Sequence, residues 1–397
     1  MLRRSSSSVA ILLTGLLGLP LAVRAMADEP TSLAKIPPRA ERTPADRTAL
    51  ARRLRQAYAA PPAAWPTPHI DPGVEWRELG LLPAVEHPGE NPYSAAKAAL
   101  GRALFFDPRL SAGGHMSCAT CHDPDRGWAD GRAVSLPHGT IPARNTPTIR
   151  NVAFQRTLFW DGRAVSLEAQ AAEALANPHE MAGTPEHVID TIAITPRYRE
   201  WYAEAFPERP FDFTAVAEAL ACFERTLVGG DSRFDDFLRG KGDAISDAEV
   251  LGLDLFRREG RCLNCHHGPA LSDGRFHDLG LSFHGRSNED LGRFRITHDP
   301  ADKGRFRTPS LRDVTNTAPF MHTGTFSLQG VLNMYNAGMA TLKRQPFERD
   351  DHTFPVKSPL LKPLGLNRQD LADLEAFLGA LAEPTGPART PAAHDSE

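Results

Sequence analysis

The sequence predicts a mainly α protein of two similarly built domains with long irregular loops. Two observations carry that prediction. Apolar residues recur at helical spacing in segment after segment, while no alternating run is long enough for a sheet. A Cys-x-x-Cys-His pentapeptide also occurs twice, each time behind a helical segment and ahead of a long stretch rich in Gly, Pro and Arg.

Taken along the chain, residues 1–27 read as a secretory signal. Arg3 and Arg4 form a basic start, residues 9–19 an apolar run, and Ala25-Met26-Ala27 a small-residue cleavage site, with cut points at Ala25 or Ala27. That run is shorter than the roughly 20 apolar residues a spanning helix needs, and no later segment is long and apolar enough. The mature chain is therefore expected to be exported and without a membrane span. Residues 28–93 form a Pro/Ala-rich arm with one helix over 48–59. A first domain, 94–240, begins with a helix over 94–105 that Ser94 can cap. After the first pentapeptide comes a loop over 123–151, long enough to wrap something. Helices over 166–176, 185–194, 196–206 and 213–227 follow, closed by Gly229 and Gly230. The second domain, 246–382, opens on the capping box Ser246-Asp247-Ala248-Glu249, and its helix runs to about residue 258. A loop over 268–324 follows the second pentapeptide, then helices over 328–335 and 368–381. Residues 383–397 read as a disordered polar tail.

The full chain carries a formal charge of −4. Loss of residues 1–27 removes Arg3, Arg4 and Arg24 and no acid, so the mature chain is more acidic still. An acidic chain without a basic run is a poor partner for nucleic acid. Of five cysteines, four lie in the pentapeptides. Cys222, inside a helical pattern, reads as a small buried hydrophobe.

The pentapeptides carry the chemistry. In Cys118-Ala119-Thr120-Cys121-His122 and Cys262-Leu263-Asn264-Cys265-His266, two thiols one helical turn apart can each add to a vinyl group of one porphyrin. The adjacent imidazole then points at the iron. A zinc site made of the four cysteines is the rival, but it would leave both histidines and both long loops without a task. His267 reads as a solvent-facing neighbour. Two covalent haem c groups are expected, which makes the domains cytochrome-c-like.

Over roughly residues 94–382 the chain resembles the bacterial dihaem cytochrome c peroxidase/MauG family. Beyond the pentapeptides, the likeness rests on Leu104-Phe105-Phe106-Asp107-Pro108-Arg109-Leu110-Ser111, Phe159-Trp160-Asp161-Gly162-Arg163 and Thr317-Ala318-Pro319-Phe320-Met321-His322-Thr323-Gly324. The resemblance implies that Trp160 lies between the haems and relays electrons. It also implies that Glu180, twenty residues on, faces the open side of the first haem as acid–base, with Gln170 beside it. By residue type alone Trp160 would be a core aromatic and Glu180 a surface carboxylate. His138 corresponds, after a one-residue shift, to a loop His that blocks the first iron in many members. Asn145, Thr317 and Pro319 match a calcium site built from one amide oxygen and two carbonyls. On the far side of the second haem, peroxidases place Met and MauG-type members Tyr. Tyr335 is the matching position, allowing for one residue missing behind Gly324, with Met334 and Met339 left open.

The function implied is a periplasmic peroxidase that reduces hydrogen peroxide at the N-terminal haem. Electrons would enter through the C-terminal haem from a small c-type cytochrome or cupredoxin. The alternative is a MauG-like enzyme that spends the oxidising equivalents on residues, such as tryptophans, of a partner protein. A plain electron-transfer cytochrome is the third reading, and Glu180 and Gln170 argue against it.

Overall fold

The computed structural model describes residues 37–134 and 144–384. The signal segment, His138 and residues 385–397 lie outside the described residues. The fold is mainly α: α1 (Pro44–Tyr58), α2 (Ala95–Phe105), α3 (Cys118–Cys121), α4 (Leu167–Ala176), α5 (Pro185–Ile194), α6 (Pro196–Ala205), α7 (Phe213–Glu224), α8 (Arg233–Leu238), α9 (Asp247–Arg257), α10 (Phe294–Thr297), α11 (Leu328–Asn336) and α12 (Arg368–Ala380). One antiparallel ladder joins β1 (Phe276–Asp278) to β2 (Arg305–Arg307). Three-residue strands are too short to leave an alternating pattern, so periodicity could not show them. Among the described residues, no helix is long and apolar enough to cross a membrane.

Local sequence accounts for the helix starts. The Ser94 hydroxyl accepts from Lys97 N at 3.1 Å, and Ser246 with Glu249 closes the expected capping box. Helix α1 begins earlier than expected, because Thr43 caps it and Pro44 sits at its first turn.

Apolar side chains gather into two cores. One is built from α2 and α4–α7, with Leu100, Leu104, Phe105 and Leu220 buried in it. The other is built from α1, α8, α9 and α12, with Phe234, Phe256 and Phe377 fully buried. Each core is pinned by a helix crossing at a glycine. A Cβ on Gly101 would overlap the Ala219 carbonyl of α7, and one on Gly252 would overlap the Asp373 carbonyl of α12. Only a residue without a side chain permits backbones to approach so closely.

The arm before residue 94 packs on the second core, far from it in sequence. Arg47 forks onto Asp373 at 2.6 and 2.8 Å, and the Tyr58 hydroxyl donates to Asp254 at 2.9 Å. Its extended part is bonded along the second pentapeptide: Asp71 N donates to Asn264 Oδ1 at 2.7 Å, and Gly268 N to the Arg77 carbonyl at 2.9 Å. Glu383, assigned to the disordered tail, is buried. Its carboxylate accepts from Gly230 N at 2.8 Å and Asp231 N at 3.2 Å, because a carboxylate satisfies two loop amides there.

Candidate active site

Both pentapeptides form a single helical turn, α over Cys118–Cys121 and 3-10 over Cys262–Asn264, and both end on the same backbone bond. The His122 N–H bonds to the Cys118 carbonyl at 2.9 Å, and the His266 N–H to the Cys262 carbonyl at 2.8 Å. Each imidazole then donates its Nδ1 hydrogen to a backbone carbonyl, His122 to Trp128 and His266 to Leu271, both at 3.1 Å. That bond fixes the tautomer and leaves Nε2 with its lone pair, the state in which imidazole binds a metal. Burial holds both rings neutral by lowering their pKa, that of His266 to about 4.

Each pentapeptide opens on a cavity. The first, about 1650 Å³ with its mouth, is lined by Cys118, Cys121 and His122 on one side. Gln170 of α4, His179, Glu180 and Asn145 lie elsewhere on its wall. The second, about 1490 Å³, is lined by Cys262, Cys265 and His266, by Leu-rich stretches of α11 and α12, and by Tyr335. Met334 and Met339 do not line it; Met339 is buried elsewhere. Burial, chiefly, raises the Tyr335 phenol well above its ordinary value, so a nearby cation would be needed to bring it to phenolate.

Trp160 and Arg307 line both cavities. The indole N–H donates to the Asn145 carbonyl at 2.8 Å, and the ring lies edge-on to His322 at 6.2 Å. Asn145 N in turn donates to the His322 carbonyl at 2.8 Å, which brings Asn145 beside the segment of Thr317 and Pro319. The Asn145 amide gives its Nδ2 hydrogen to the Arg132 carbonyl at 2.8 Å, so Oδ1 is the side-chain atom left to accept a cation. Glu180 is held at the cavity by the Asn177 amide, which donates to its Oε1 at 3.0 Å.

These residues fit covalent haem. None of the four thiols is in a disulfide, each pair sits at the edge of its own cavity, and each histidine is prepared as a ligand. The zinc rival fails, since the two cysteine pairs lie on different cavities. Among the described residues the only cluster close enough to hold a metal is Cys265, Asp273 and His277, where Asp273 already accepts from His277 at 2.8 Å.

The chain is 39% identical over 307 residues to methylamine utilization protein MauG of Methylorubrum extorquens, which covers 76% of this chain and 82% of that one. It belongs to the dihaem cytochrome c peroxidase/MauG family. The family described as di-haem cytochrome c peroxidase matches residues 95–243. Cytochrome-c peroxidase IdrP1 of a Pseudomonas species is 36% identical over 335 residues, 77% of this chain and 85% of that one. Among solved structures, a MauG-like protein associated with microbial copper homeostasis superposes with a TM-score of 0.69 at 33% identity. It covers 80% of this chain and 99% of that one. As a family member the chain is a haem oxidoreductase with two haem c groups.

Sequence reasoning missed four residues of this site. Glu224 is 5% exposed on the first cavity, its Oε2 has no hydrogen-bond partner among the described residues, and burial lifts its pKa to about 8. Arg144, on the wall of the first cavity, joins Asp161 at 2.6 Å to Asp290 at 2.7 Å. His322 stacks on Phe306 at 3.6 Å, and Arg307 ends β2. Each is a polar residue that by type belongs on the surface, and only the fold buries it. His267, expected in solvent, is also buried, under the arm that crosses at Arg77. Cys222 is a buried hydrophobe, as expected.

Proposed function

We propose that the chain is a periplasmic dihaem peroxidase that reduces hydrogen peroxide in the His122 cavity with electrons relayed from the His266 haem. Residues 94–240 would carry the peroxidatic site and residues 246–382 the electron-transfer site. The observation that carries this reading is that Trp160 forms a wall of both cavities while Glu180 and Gln170 line only the first. Bound haem supplies the iron that receives peroxide and changes oxidation state.

The chain's own residues supply the rest. His122 and His266 offer Nε2 as proximal ligands. Glu180 takes a proton from peroxide and returns it to the departing oxygen, and Gln170 orients the substrate by hydrogen bonding. Trp160 offers an oxidisable ring at the shared wall. Asn145 Oδ1 with the Thr317 and Pro319 carbonyls forms a site of neutral oxygens suited to calcium. A cleaved signal at residues 1–27 places the chain in the periplasm, where a small c-type cytochrome or cupredoxin donates electrons.

A steady-state assay with small reduced c-type cytochromes and hydrogen peroxide tests the main reading, and absence of turnover with any such donor would sink it. One observation favours a second reading: among the α11 residues on the second cavity the one with an atom able to bind iron is Tyr335, and Met334 of the same helix does not line it. A hard anionic ligand suits storage of an oxidising equivalent, as a MauG-like enzyme acting on tryptophans of a partner protein requires.

A further inference from the structure

Among the described residues, four arginines are buried: Arg225, Arg257, Arg307 and Arg312. Three of them hold a carboxylate, Arg225 that of Glu168, Arg257 that of Glu78 and Arg312 that of Asp235. Arg307, 5% exposed, holds none within ion-pair distance among the described residues. Its Nε donates to the Phe159 carbonyl at 3.2 Å and its Nη1 reaches the Thr308 carbonyl at 3.4 Å. Two carbonyls leave most of a guanidinium's five donors, and all of its charge, without an answer. Burial alone draws its pKa down to about 10. An unpaired buried charge is among the most expensive features a fold can carry, so a counter-charge belongs here.

The position says where that counter-charge comes from. Arg307 lines both cavities, and its backbone N donates to the Trp160 carbonyl at 2.8 Å. The nearby Arg144 does not compete, since it has Asp161 and Asp290 of its own. Anything that fills either cavity therefore meets the guanidinium at the shared wall. Haem is such an occupant, and its periphery bears two propionate carboxylates. We propose that Arg307 is the counter-charge for a haem propionate at the wall the two cavities share, an assignment that rests on the dihaem reading. Its fork suits a carboxylate bidentately, which a point charge would not. Because the same residue holds the Phe159 and Trp160 carbonyls, it registers the haem edge against the relay indole. Arg307 is thus a positioning residue, and its charge also offsets that of the propionate near the iron.

The test is spectroelectrochemistry on the fully loaded wild type, Arg307→Gln and Arg307→Lys, after counting covalent haems in each. Loss of the cation leaves a propionate charge uncompensated, which favours ferric iron. In Arg307→Gln one haem should show about a tenfold fall in its ferrous-to-ferric ratio at a fixed potential near its midpoint, which for one electron is 59 mV. Arg307→Lys should recover most of that shift. Two haems per chain with unchanged midpoints in Arg307→Gln would overturn the assignment, whereas a wild type without covalent haem would overturn the reading beneath it. Thermal unfolding of loaded Arg307→Met gives an independent answer. An arginine that holds a propionate stabilises the loaded protein, so the Met variant should melt lower. A higher melting temperature would show a charge that had no partner, and would also overturn the assignment.

Discussion

The cavity at His122 and the cavity at His266 are framed by the same devices. A helix pinned at a glycine leads to each pentapeptide, a turn presents the two thiols, and a backbone carbonyl fixes the histidine. Their other walls differ. Across the first lie Gln170, His179, Glu180 and Glu224, groups that can exchange protons or hydrogen bonds. Across the second lie Leu332, Leu361, Leu374 and Leu378 with Tyr335 among them, and the polar groups there include His277, His322 and Lys362 but no carboxylate. The same attachment chemistry is thus set in two environments. On the proposed reading, the first would hold and protonate a small polar substrate, and the second would pass electrons.

Removing attachment sites breaks the comparison most completely. Cys118→Ala with Cys121→Ala should leave one covalent haem per chain and abolish the reaction with peroxide. Cys262→Ala with Cys265→Ala should also leave one haem, keep a single encounter with peroxide and lose sustained turnover. Haem counting by mass and stopped-flow mixing read both. If either pair left peroxide turnover intact, the division of labour between the cavities would be wrong.

Next in size is the acid–base wall. Positioned proton transfer is worth about 10²- to 10⁴-fold, so Glu180→Gln should slow the first reaction with peroxide by that order at unchanged haem content. A wild-type rate would return Glu180 to the status of a surface carboxylate.

The second cavity is sharpened by ligand exchange. Tyr335→Phe should alter the low-spin ferric signal of the second haem in electron paramagnetic resonance, and Met334→Leu and Met339→Leu should leave it alone. A response to either methionine change instead would place the chain with the Met-ligated peroxidases and remove the main support for the MauG-like reading.

The shared scaffold predicts matched losses of stability. Gly101→Ala and Gly252→Ala each force a methyl group into a neighbouring helix, at a cost of about 1–3 kcal/mol, overpacking of the usual size. Calorimetry should show both melting lower, and a neutral result at either would deny that crossing its role.

The narrowest effect, confined to the pH dependence of stability, comes from Glu224. Its folded pKa of about 8 exceeds the ordinary 4.5, so in that interval the folded chain keeps a proton that the unfolded chain gives up. Stability from this group is therefore full below pH about 4.5 and is lost as pH rises through 8. Glu224→Gln should remove that decline, and the stabilities of wild type and variant should diverge progressively between pH about 4.5 and 8 and run parallel above it.

Much of this is legible in the sequence. Haem attachment is encoded within five consecutive residues, so it depends on nothing distant. Helix starts at Ser94 and Ser246 are likewise set by side chains three residues away. The family resemblance supplied Trp160, Gln170, Glu180 and Tyr335, and the fold brings each to a cavity wall. Proximity across the chain had no such local code. Nothing in residues 37–93 says that they lie along a motif nearly two hundred positions later, because the bonds that hold them there, Asp71 to Asn264 and Arg77 to Gly268, join distant backbones. Nor does the tripeptide Arg305-Phe306-Arg307 distinguish its two arginines. In an antiparallel strand, alternate residues of a three-residue ladder share a face, and only what packs beyond that face decides that Arg307 is buried between two cavities while Arg305 stays at the edge. Sequence determined the chemistry that five neighbouring residues can specify. Tertiary structure decided which charges lost their water, since burial is a property of everything around a residue.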